Sequence, residues 1–264
     1  MVTVACCQLA PAVGELEKNL AMVSRAIASA SSAGADVIVL PELVTSGYCL
    51  ASREEAASVS IRFDHPVFRQ WSGDAGGAVL VLGFAEAGDA GCLYNSAALV
   101  DGRGLRAVYR KAHLWDAEHK FFTPGSAPPP VIDTAVGRIA MMICYDLEFP
   151  EMTRSVALAG ADLLAVPTNW PWTERPDGWP APEVVIAMAA ARVNRLPIAC
   201  CDRSGTERGQ RWNQASIIVG PDGWPLATAG QSGPAIAQLD MAAGRDKALS
   251  ARNHALTDRR PDLY

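Results

Sequence analysis

The sequence contains little of what nucleic-acid-binding or membrane-spanning proteins need. Lys and Arg number 23 against 28 Asp and Glu, the net charge is −5, and the densest basic cluster is only Arg259-Arg260. Nucleic-acid-binding surfaces carry clustered positive charge, so this balance argues against DNA or RNA as a partner. No apolar run reaches the ~18 residues that suggest a membrane span. The first residues also lack the basic region and long apolar stretch of a signal peptide, so we expect a cytoplasmic protein without a membrane partner.

Metal ligands and paired cysteines are also scarce. None of the four histidines forms a His-x-His or His-Glu-x-x-His motif, and none of the seven cysteines forms a Cys-x-x-Cys motif. Cys6-Cys7 and Cys200-Cys201 lie in apolar stretches that resemble strands, where neighbouring side chains point to opposite faces. That geometry suits neither a disulfide nor a zinc site. We therefore expect reduced thiols and no bound metal.

What the chain does contain is enough apolar sequence for a large core. Half of its 264 residues are hydrophobic, and a chain of this length buries roughly 70–75% of its unfolded surface without needing disulfides. Apolar strands alternate with amphipathic helices, which predicts a layered α/β fold with helices packed on sheets. Without repeats or a linker, we expect one domain over residues 1–264. Strands are predicted at 2–9, 36–40, 78–84, 93–100, 105–109, 131–134, 138–144, 162–166 and 198–201, helices at 15–33, 53–72, 150–159 and 183–194, and hairpins around 101–104, 136–137 and, within 215–239, 221–223.

Three predicted strands end in a reactive side chain. Glu42 follows the strand 36–40, Lys111 follows the second strand of the first hairpin, and Cys144 ends the strand 138–144. An acid, an ammonium and a thiol held at strand ends are what a nucleophilic site requires, because the sheet fixes them and little water screens their charges. Taken singly, each residue is more typical of a structural role, since cysteine is commonly buried and Glu and Lys commonly lie at the surface.

The surrounding strings add specificity. Pro41-Glu42-Leu43 is followed by a segment running from Arg110-Lys111 through Glu118 to Gly125, and then by Ile143-Cys144-Tyr145-Asp146-Leu147-Glu148-Phe149-Pro150-Glu151. In this order and spacing they resemble the nitrilase superfamily, the carbon–nitrogen hydrolases with a Glu-Lys-Cys triad. The resemblance extends over essentially the whole chain, from the first strand to Tyr264.

The resemblance implies an α-β-β-α sandwich whose subunits form a homodimer or a larger homo-oligomer. It implies that Glu42 is the general base, Lys111 the catalytic lysine and Cys144 the nucleophile, while Glu118 matches a second glutamate that orients Lys111 or the substrate nitrogen. No metal or organic cofactor is implied. The C-terminal tail, about residues 250–264, is expected to pack at a subunit interface.

The chemistry of these residues supports the same assignment independently. A free thiol has a pKa near ~8.5, so at neutral pH it needs a cation that favours the thiolate or a base that removes its proton. Lys111 and Glu42 supply both. The backbone N–H of Tyr145 is expected to join Lys111 in binding the oxyanion. His113 lies two residues beyond Lys111, a position that does not suit a base for the same pocket. We therefore expect His113 to have a structural hydrogen-bonding role.

The triad does not distinguish amide, nitrile and N-carbamoyl substrates, so the pocket walls must. Candidate substrate-binding residues are Tyr48, Trp115, Tyr145, Asn169 and Trp170, although the tryptophans, together with Trp172 and Trp179, are equally consistent with a subunit interface. Relatives that bind a substrate carboxylate carry a basic residue at the position of Glu148, so a carboxylate would be repelled there. Arg175, Arg192 or Arg195 could supply the missing positive charge from elsewhere in the chain. We therefore expect hydrolysis of a small neutral aliphatic or aromatic amide, with nitriles and N-carbamoyl amines as the alternatives.

Two other classes of protein are compatible with parts of the sequence. A metal-dependent phosphoesterase can share the α-β-β-α architecture, but it needs clustered Asp, Asn and His ligands that four scattered histidines supply poorly. A scaffold or redox protein would use the cysteines without hydrolysis. Activity that survives a chelator excludes the first class, and alkylation of Cys144 by iodoacetamide at pH 7 argues against the second.

Overall fold

The computed structural model describes residues 1–230 and 233–263. Gln231 and Ser232, within the predicted hairpin segment 215–239, and Tyr264, at the end of the predicted tail, lie outside the described residues. The helices are α1 (Leu16–Ser32), α2 (Arg53–Ser58), α3 (Val67–Asp74), α4 (Pro150–Leu158) and α5 (Pro182–Asn194). The strands are β1 (Val2–Cys6), β2 (Val37–Val39), β3 (Val79–Ala87), β4 (Leu93–Asp101), β5 (Gly104–Arg110), β6 (Val131–Thr134), β7 (Gly137–Met141), β8 (Leu163–Pro167), β9 (Ile198–Cys201), β10 (Thr206–Glu207), β11 (Gln210–Arg211), β12 (Ile217–Val219), β13 (Pro225–Thr228), β14 (Ala235–Leu239), β15 (Ala248–Ser250) and β16 (Asn253–His254).

Two six-stranded sheets organise the described part of the chain. Their strand orders are β14-β1-β2-β3-β4-β5 and β13-β12-β9-β8-β7-β6. Each sheet has a parallel centre, made of β1, β2 and β3 in the first and β7, β8 and β9 in the second. The loops that follow the two parallel centres meet, because the backbone N–H of Glu42 after β2 donates to the carbonyl of Thr168 after β8 at 3.4 Å. Ligand sites typically lie at such carboxyl ends of parallel strands.

The alternation of side chains along β2 shows how the layers are built. Val37 and Val39 pack into the core between the two sheets, whereas Ile38 and Leu40 pack on the opposite face against residues of α1 and α3. A strand buried on both faces reads as a continuous apolar run, which is why the sequence 37–40 contains no polar residue. Helices α4 and α5 cover the outer face of the second sheet. The predicted α-β-β-α sandwich is confirmed.

Several predicted elements differ from the observed ones. The helix predicted over 53–72 is two helices, because Pro66 lacks an N–H donor and is tolerated at the start of α3 rather than inside a helix. The strand predicted over 2–9 ends at Cys6. Within 215–239, β12 and β13 form the predicted hairpin, but β14 crosses to the other sheet and pairs with β1. Alternating hydrophobicity identifies a strand without indicating which sheet it joins.

The C-terminal segment after β15 contacts helix α4 of its own chain. The Arg154 side chain donates from Nη1 to the carbonyl of Ala255 at 2.9 Å, and much of the segment is exposed. None of the helices in residues 1–230 and 233–263 combines the length and apolar character that crossing a bilayer requires.

Candidate active site

Lys111 connects two carboxylates at the end of the first sheet. Its Nζ lies 2.7 Å from Oε1 of Glu42 and 2.6 Å from Oε1 of Glu118. The side chains of Lys111 and Glu42 are fully buried. Lys111 is the first residue after β5, and its backbone N–H extends the pairing with β4 by donating to the carbonyl of Asn95 at 2.8 Å. The edge of the sheet therefore fixes the ammonium between the two acids.

Two further side chains hold these carboxylates in place. Asn95 on β4 donates from Nδ2 to Oε1 of Glu42 at 2.8 Å, and the Tyr48 hydroxyl donates to Oε1 of Glu118 at 2.6 Å. The second oxygen of Glu42, Oε2, is buried and has no hydrogen-bond partner among the described residues. A buried carboxylate oxygen without a partner is costly. Oε2 of Glu42 is therefore available to accept a hydrogen bond or a proton.

Cys144 lies in a sharp turn three residues beyond β7. It begins the 3₁₀ helix Cys144–Glu148, and its φ of 47° places it in the left-handed region that non-glycine residues seldom occupy. Strained backbone of this kind concentrates at functional sites, where the surrounding structure enforces it. Because Tyr145 follows Cys144 in the first turn of the helix, its backbone N–H belongs to the set that has no partner within the helix.

Buried Asp146 anchors this turn to the first sheet. Its carboxylate accepts hydrogen bonds from the Tyr109 hydroxyl at 2.8 Å, the His113 backbone N–H at 3.0 Å and the Ile143 backbone N–H at 3.3 Å. Tyr109 lies on β5, so one carboxylate joins the turn that carries the thiol to the strand that precedes Lys111. His113 also contacts Asp146 through Nδ1 at 2.8 Å and stacks on Phe149, which agrees with the structural role expected for it.

Burial controls the titration of the cluster. It raises the pKa of Glu42 to about 7, although the charge of Lys111 opposes the shift. Burial would lower the pKa of Lys111, but the charges of Glu118 and Glu42 outweigh it, so that this pKa lies well above its ordinary value. Burial and the charge of Glu42 raise the pKa of the Cys144 thiol well above its ordinary range, and Lys111 offsets only part of this. The resting site therefore combines a protonated thiol, an ammonium and a carboxyl group that ionises near neutral pH.

A cavity of about 370 Å³ lies beside this cluster. Glu118 and Tyr48 form part of its wall together with the aromatic rings of Trp115 and Trp212. Arg208 also lines it, but its guanidinium is paired with Glu55 at 2.5 Å. The cavity wall therefore presents aromatic rings and an arginine whose charge Glu55 neutralises, next to the buried cluster of Lys111 and its two glutamates.

The chain matches the family model described as "Carbon-nitrogen hydrolase" over residues 3–248. The chain belongs to this family. As a carbon–nitrogen hydrolase it is 34% identical to a nitrilase of Pyrococcus abyssi, with 100% of this chain and 99% of the relative covered. It is 32% identical to an N-carbamoylputrescine amidase of Solanum lycopersicum, with 100% and 94% covered. Activity on carbon–nitrogen bonds is thus shown for the family, whereas the substrate differs among its members.

Solved structures of an amidase extend the comparison. One mutant of the amidase from Nesterenkonia sp. AN1 has a TM-score of 0.82 and 27% identity, with 100% of this chain and 98% of that chain covered. That structure shows the result of Michael addition of acrylamide at the active site cysteine. The carbon–nitrogen hydrolase described here thus shares its fold with an amidase whose cysteine reacts covalently.

The structure brings most of the predicted site residues together. Glu42, Lys111, Glu118 and Tyr48 form one hydrogen-bonded chain. Asn169 lies beside it, since its Nδ2 donates to the carbonyl of Glu42 at 2.9 Å and its own carbonyl is 3.9 Å from Sγ of Cys144. Two of the predicted pocket residues, Trp115 and Tyr145, contact each other edge to face.

Trp170 departs from the predicted position. It is only 2% exposed and belongs to the hydrophobic core around the second sheet, and its backbone N–H donates to Asp202 at 2.9 Å. The described residues that line the cavity do not include Trp170; Trp212 takes that place instead. Trp172 and Trp179 are exposed. Arg175 donates to the side chain of Asn213, and Arg195 donates to the carbonyl of Asp246. These two contacts are with neutral groups and do not pair either arginine with a carboxylate.

Sequence reasoning missed three polar residues of the carbon–nitrogen hydrolase site. Asn95 has a visible signal, because it is a polar residue inside an otherwise apolar predicted strand. Asp146 lies within the quoted motif, where only its neighbours received a role. Glu207 has no local signal, because it reaches the site through contacts with residues about 160 positions away.

Proposed function

We propose that this carbon–nitrogen hydrolase converts a small neutral aliphatic or aromatic amide to a carboxylic acid and ammonia through a thioester on Cys144. The observation that carries the proposal is the placement of Lys111 between Glu42 and Glu118, at 2.7 and 2.6 Å, with the Cys144 turn tied to the same sheet through Asp146. The charges of Glu42 and Lys111 both act on the Cys144 thiol, and a base and a cation near a thiol meet the requirements of nucleophilic catalysis.

The first half-reaction forms the thioester. Sγ of Cys144 attacks the amide carbon while Oε2 of Glu42, which has no other partner in the described chain, accepts the thiol proton. Negative charge then develops on the former carbonyl oxygen, and the Lys111 ammonium and the Tyr145 backbone N–H stabilise it. Glu42 returns the proton to the amide nitrogen, the C–N bond breaks, and ammonia leaves.

The second half-reaction restores the enzyme. Glu42 accepts a proton from a water molecule as its oxygen attacks the thioester carbon, and a second tetrahedral intermediate forms on the same oxyanion donors. The C–S bond breaks, the carboxylic acid leaves, and the proton on Glu42 returns to Sγ of Cys144. Glu118 accepts hydrogen bonds from Lys111 and Tyr48 and orients the ammonium throughout.

The charges around the cavity favour a neutral acyl group. Partial burial and the charge of Glu183 raise the pKa of Glu148, and the charge of Lys111 opposes this shift. The acidic residues Asp116 and Glu118 line the cavity itself. Arg208 is paired with Glu55 rather than free to bind a carboxylate. Arg175, Arg192 and Arg195 are not among the described residues that line the cavity. A substrate carboxylate would therefore meet repulsion without a bidentate partner, whereas aromatic walls suit apolar groups.

Nitriles and N-carbamoyl amines are the alternative substrates, because relatives of the chain are named nitrilase and N-carbamoylputrescine amidase. The experiment that separates them is a screen of butyramide, butyronitrile and N-carbamoylpropylamine, with the corresponding benzoyl series. We expect ammonia release from the amides at least about tenfold faster in kcat/KM than from the other two classes. An ω-amide that carries a carboxylate serves as the charged control. Preference for nitrile or N-carbamoyl compounds would replace the proposed substrate class.

The pH dependence of turnover tests the role of Glu42. Because its pKa is raised to about 7 and it must be ionised to accept the thiol proton, kcat/KM should fall as the pH drops below about 7. A single ionisation at this value lowers kcat/KM about 100-fold between pH 8 and pH 5. The measurement is a pH profile with a neutral amide. A profile that stays flat down to pH 5 would remove Glu42 from the role of base.

A further inference from the structure

A second buried ion pair lies behind the site, and the mechanism above does not use it. Arg203 and Glu207 are almost completely buried, and Nη1 of Arg203 lies 2.7 Å from Oε1 of Glu207. Nη2 of Arg203 also donates to the carbonyl of Pro11 at 3.0 Å. Burying two charges is costly unless both are well satisfied, so such a pair calls for an explanation beyond stability.

The second carboxylate oxygen of Glu207, which does not bind Arg203, binds the backbone at Tyr48. Oε2 of Glu207 accepts the backbone N–H of Tyr48 at 2.9 Å and that of Cys49 at 2.6 Å. The preceding residue, Gly47, has a φ of 77°, and a Cβ there would lie 2.6 Å from Oε1 of Glu207. The absence of a side chain at Gly47 is therefore what allows the carboxylate to approach the loop so closely.

The same pair also fixes the ring of Tyr48. The Arg203 guanidinium lies over the face of Trp212, 4.9 Å from the ring centroid. The edge-to-face contact between Trp212 and Tyr48 has a centroid distance of 5.4 Å. Backbone and ring of Tyr48 are thus both held by groups that depend on Arg203 and Glu207, and the hydroxyl of Tyr48 donates to Glu118 at 2.6 Å.

We propose that Arg203 and Glu207 are positioning residues of the reaction, which act through Tyr48 and Glu118 to hold the Lys111 ammonium where the oxyanion forms. This inference rests on the proposed function, since it assigns a role relative to Lys111. Glu207 belongs to β10, and the hairpin it forms with β11 carries two residues of the cavity wall, Arg208 and Gln210. The pair therefore also joins the substrate cavity to the charged cluster.

A double-mutant cycle between Glu207→Gln and Tyr48→Phe tests this chain of contacts. Because both changes interrupt the same path to Glu118, each should lower kcat about tenfold with a smaller change in KM, and the double variant should also lose only about tenfold. All rates are expressed per titrated Cys144, so that a loss of folded protein does not count. A double variant that loses about 100-fold, the product of the two single effects, would overturn the proposal.

Asp162→Asn is the matched control. Asp162 is also a buried carboxylate that binds an arginine, Arg245, at 2.7 Å and a backbone N–H, that of Arg138, at 2.9 Å, but it precedes β8 at the end away from the site. We expect this variant to lose thermal stability as Glu207→Gln does while its kcat stays within about twofold of wild type. A tenfold loss of kcat in Asp162→Asn would show that such losses follow from destabilisation alone.

Two additions keep the test decisive. Glu207→Gln leaves a buried arginine without its partner, so the charge-neutral pair Arg203→Met with Glu207→Gln replaces it if the single variant does not fold. The rate of Cys144 alkylation by iodoacetamide supplies a readout that needs no substrate. If no amide is hydrolysed but the alkylation rates show the same coupling, the proposed function fails and the positioning role stands. If amides are hydrolysed and both readouts are uncoupled, only the positioning role fails.

Discussion

The Cys144→Ala variant is expected to release no measurable ammonia from any amide, a loss of at least about 10⁵-fold in kcat. The proposed thioester requires the sulfur atom, and no neighbouring side chain in the described part of the chain offers an equivalent nucleophile beside Lys111. The fold should persist because the change removes a single buried atom and alanine accepts the same backbone angles as cysteine. Ammonia release and circular dichroism measure the two effects.

Mass spectrometry makes this first prediction specific to the covalent step. Wild-type protein quenched during turnover should carry the acyl group on Cys144, and the variant should carry none. Cys92→Ala provides the matched control, because Cys92 is a partly exposed thiol that is not among the described residues lining the cavity; its turnover should equal that of wild type. An acyl adduct on any other cysteine, or turnover by Cys144→Ala, would refute the assigned nucleophile.

The Lys111→Met variant is expected to lose at least about 1,000-fold in kcat/KM. Removing one oxyanion donor costs about 3–4 kcal/mol of transition-state stabilisation, and methionine in addition leaves Glu42 and Glu118 facing each other without the cation between them. Because Lys111 lowers the pKa of Glu42 and the charge of Glu118 raises it, Glu42 should bind a proton more readily in the variant, which should therefore be least stable at high pH. Steady-state kinetics and thermal unfolding at pH 6 and pH 8 measure both consequences.

Lys120→Met controls for the loss of a positive charge. Lys120 lies nine residues further along and is exposed, so its replacement should change kcat/KM by less than about twofold. If Lys111→Met folds and still retains a tenth of the wild-type kcat/KM, the ammonium does not stabilise the oxyanion and the mechanism must be revised.

The fold and the central charges were predictable because local patterns determine them. The run Val37–Val39 is apolar on both faces and ends before Glu42, and the tight hairpin turn at Gly102 and Arg103 pairs β4 with β5, the strand that Lys111 follows. Such signals act within a few residues. They predict which side chains lie at strand ends, but they do not predict the distances between those side chains.

The remainder of the site depends on contacts that sequence order does not reveal. Asn95 reaches Glu42 only because β4 lies between β3 and β5, and Glu207 reaches Tyr48 from a separate hairpin. Trp170 was predicted to line the cavity because it follows a strand end, yet its side chain turns into the core, and Trp212 from a later segment occupies the wall. Whether a residue near a strand end faces ligand or core is decided by tertiary packing.

The pairing of one ammonium with two carboxylates has a consequence for the end of the catalytic cycle. When Glu42 and Glu118 are both ionised, Lys111 neutralises only one of them, so the sealed cluster carries an excess negative charge. In the proposed reaction the neutral amide interacts only weakly with this charge, whereas the carboxylic acid formed from it ionises to an anion at the same place. Electrostatic repulsion in a poorly hydrated hollow then drives the anion outward. If Lys111 stabilises the oxyanion as proposed, the same arrangement should make the carboxylate product a weak competitor for the next substrate molecule.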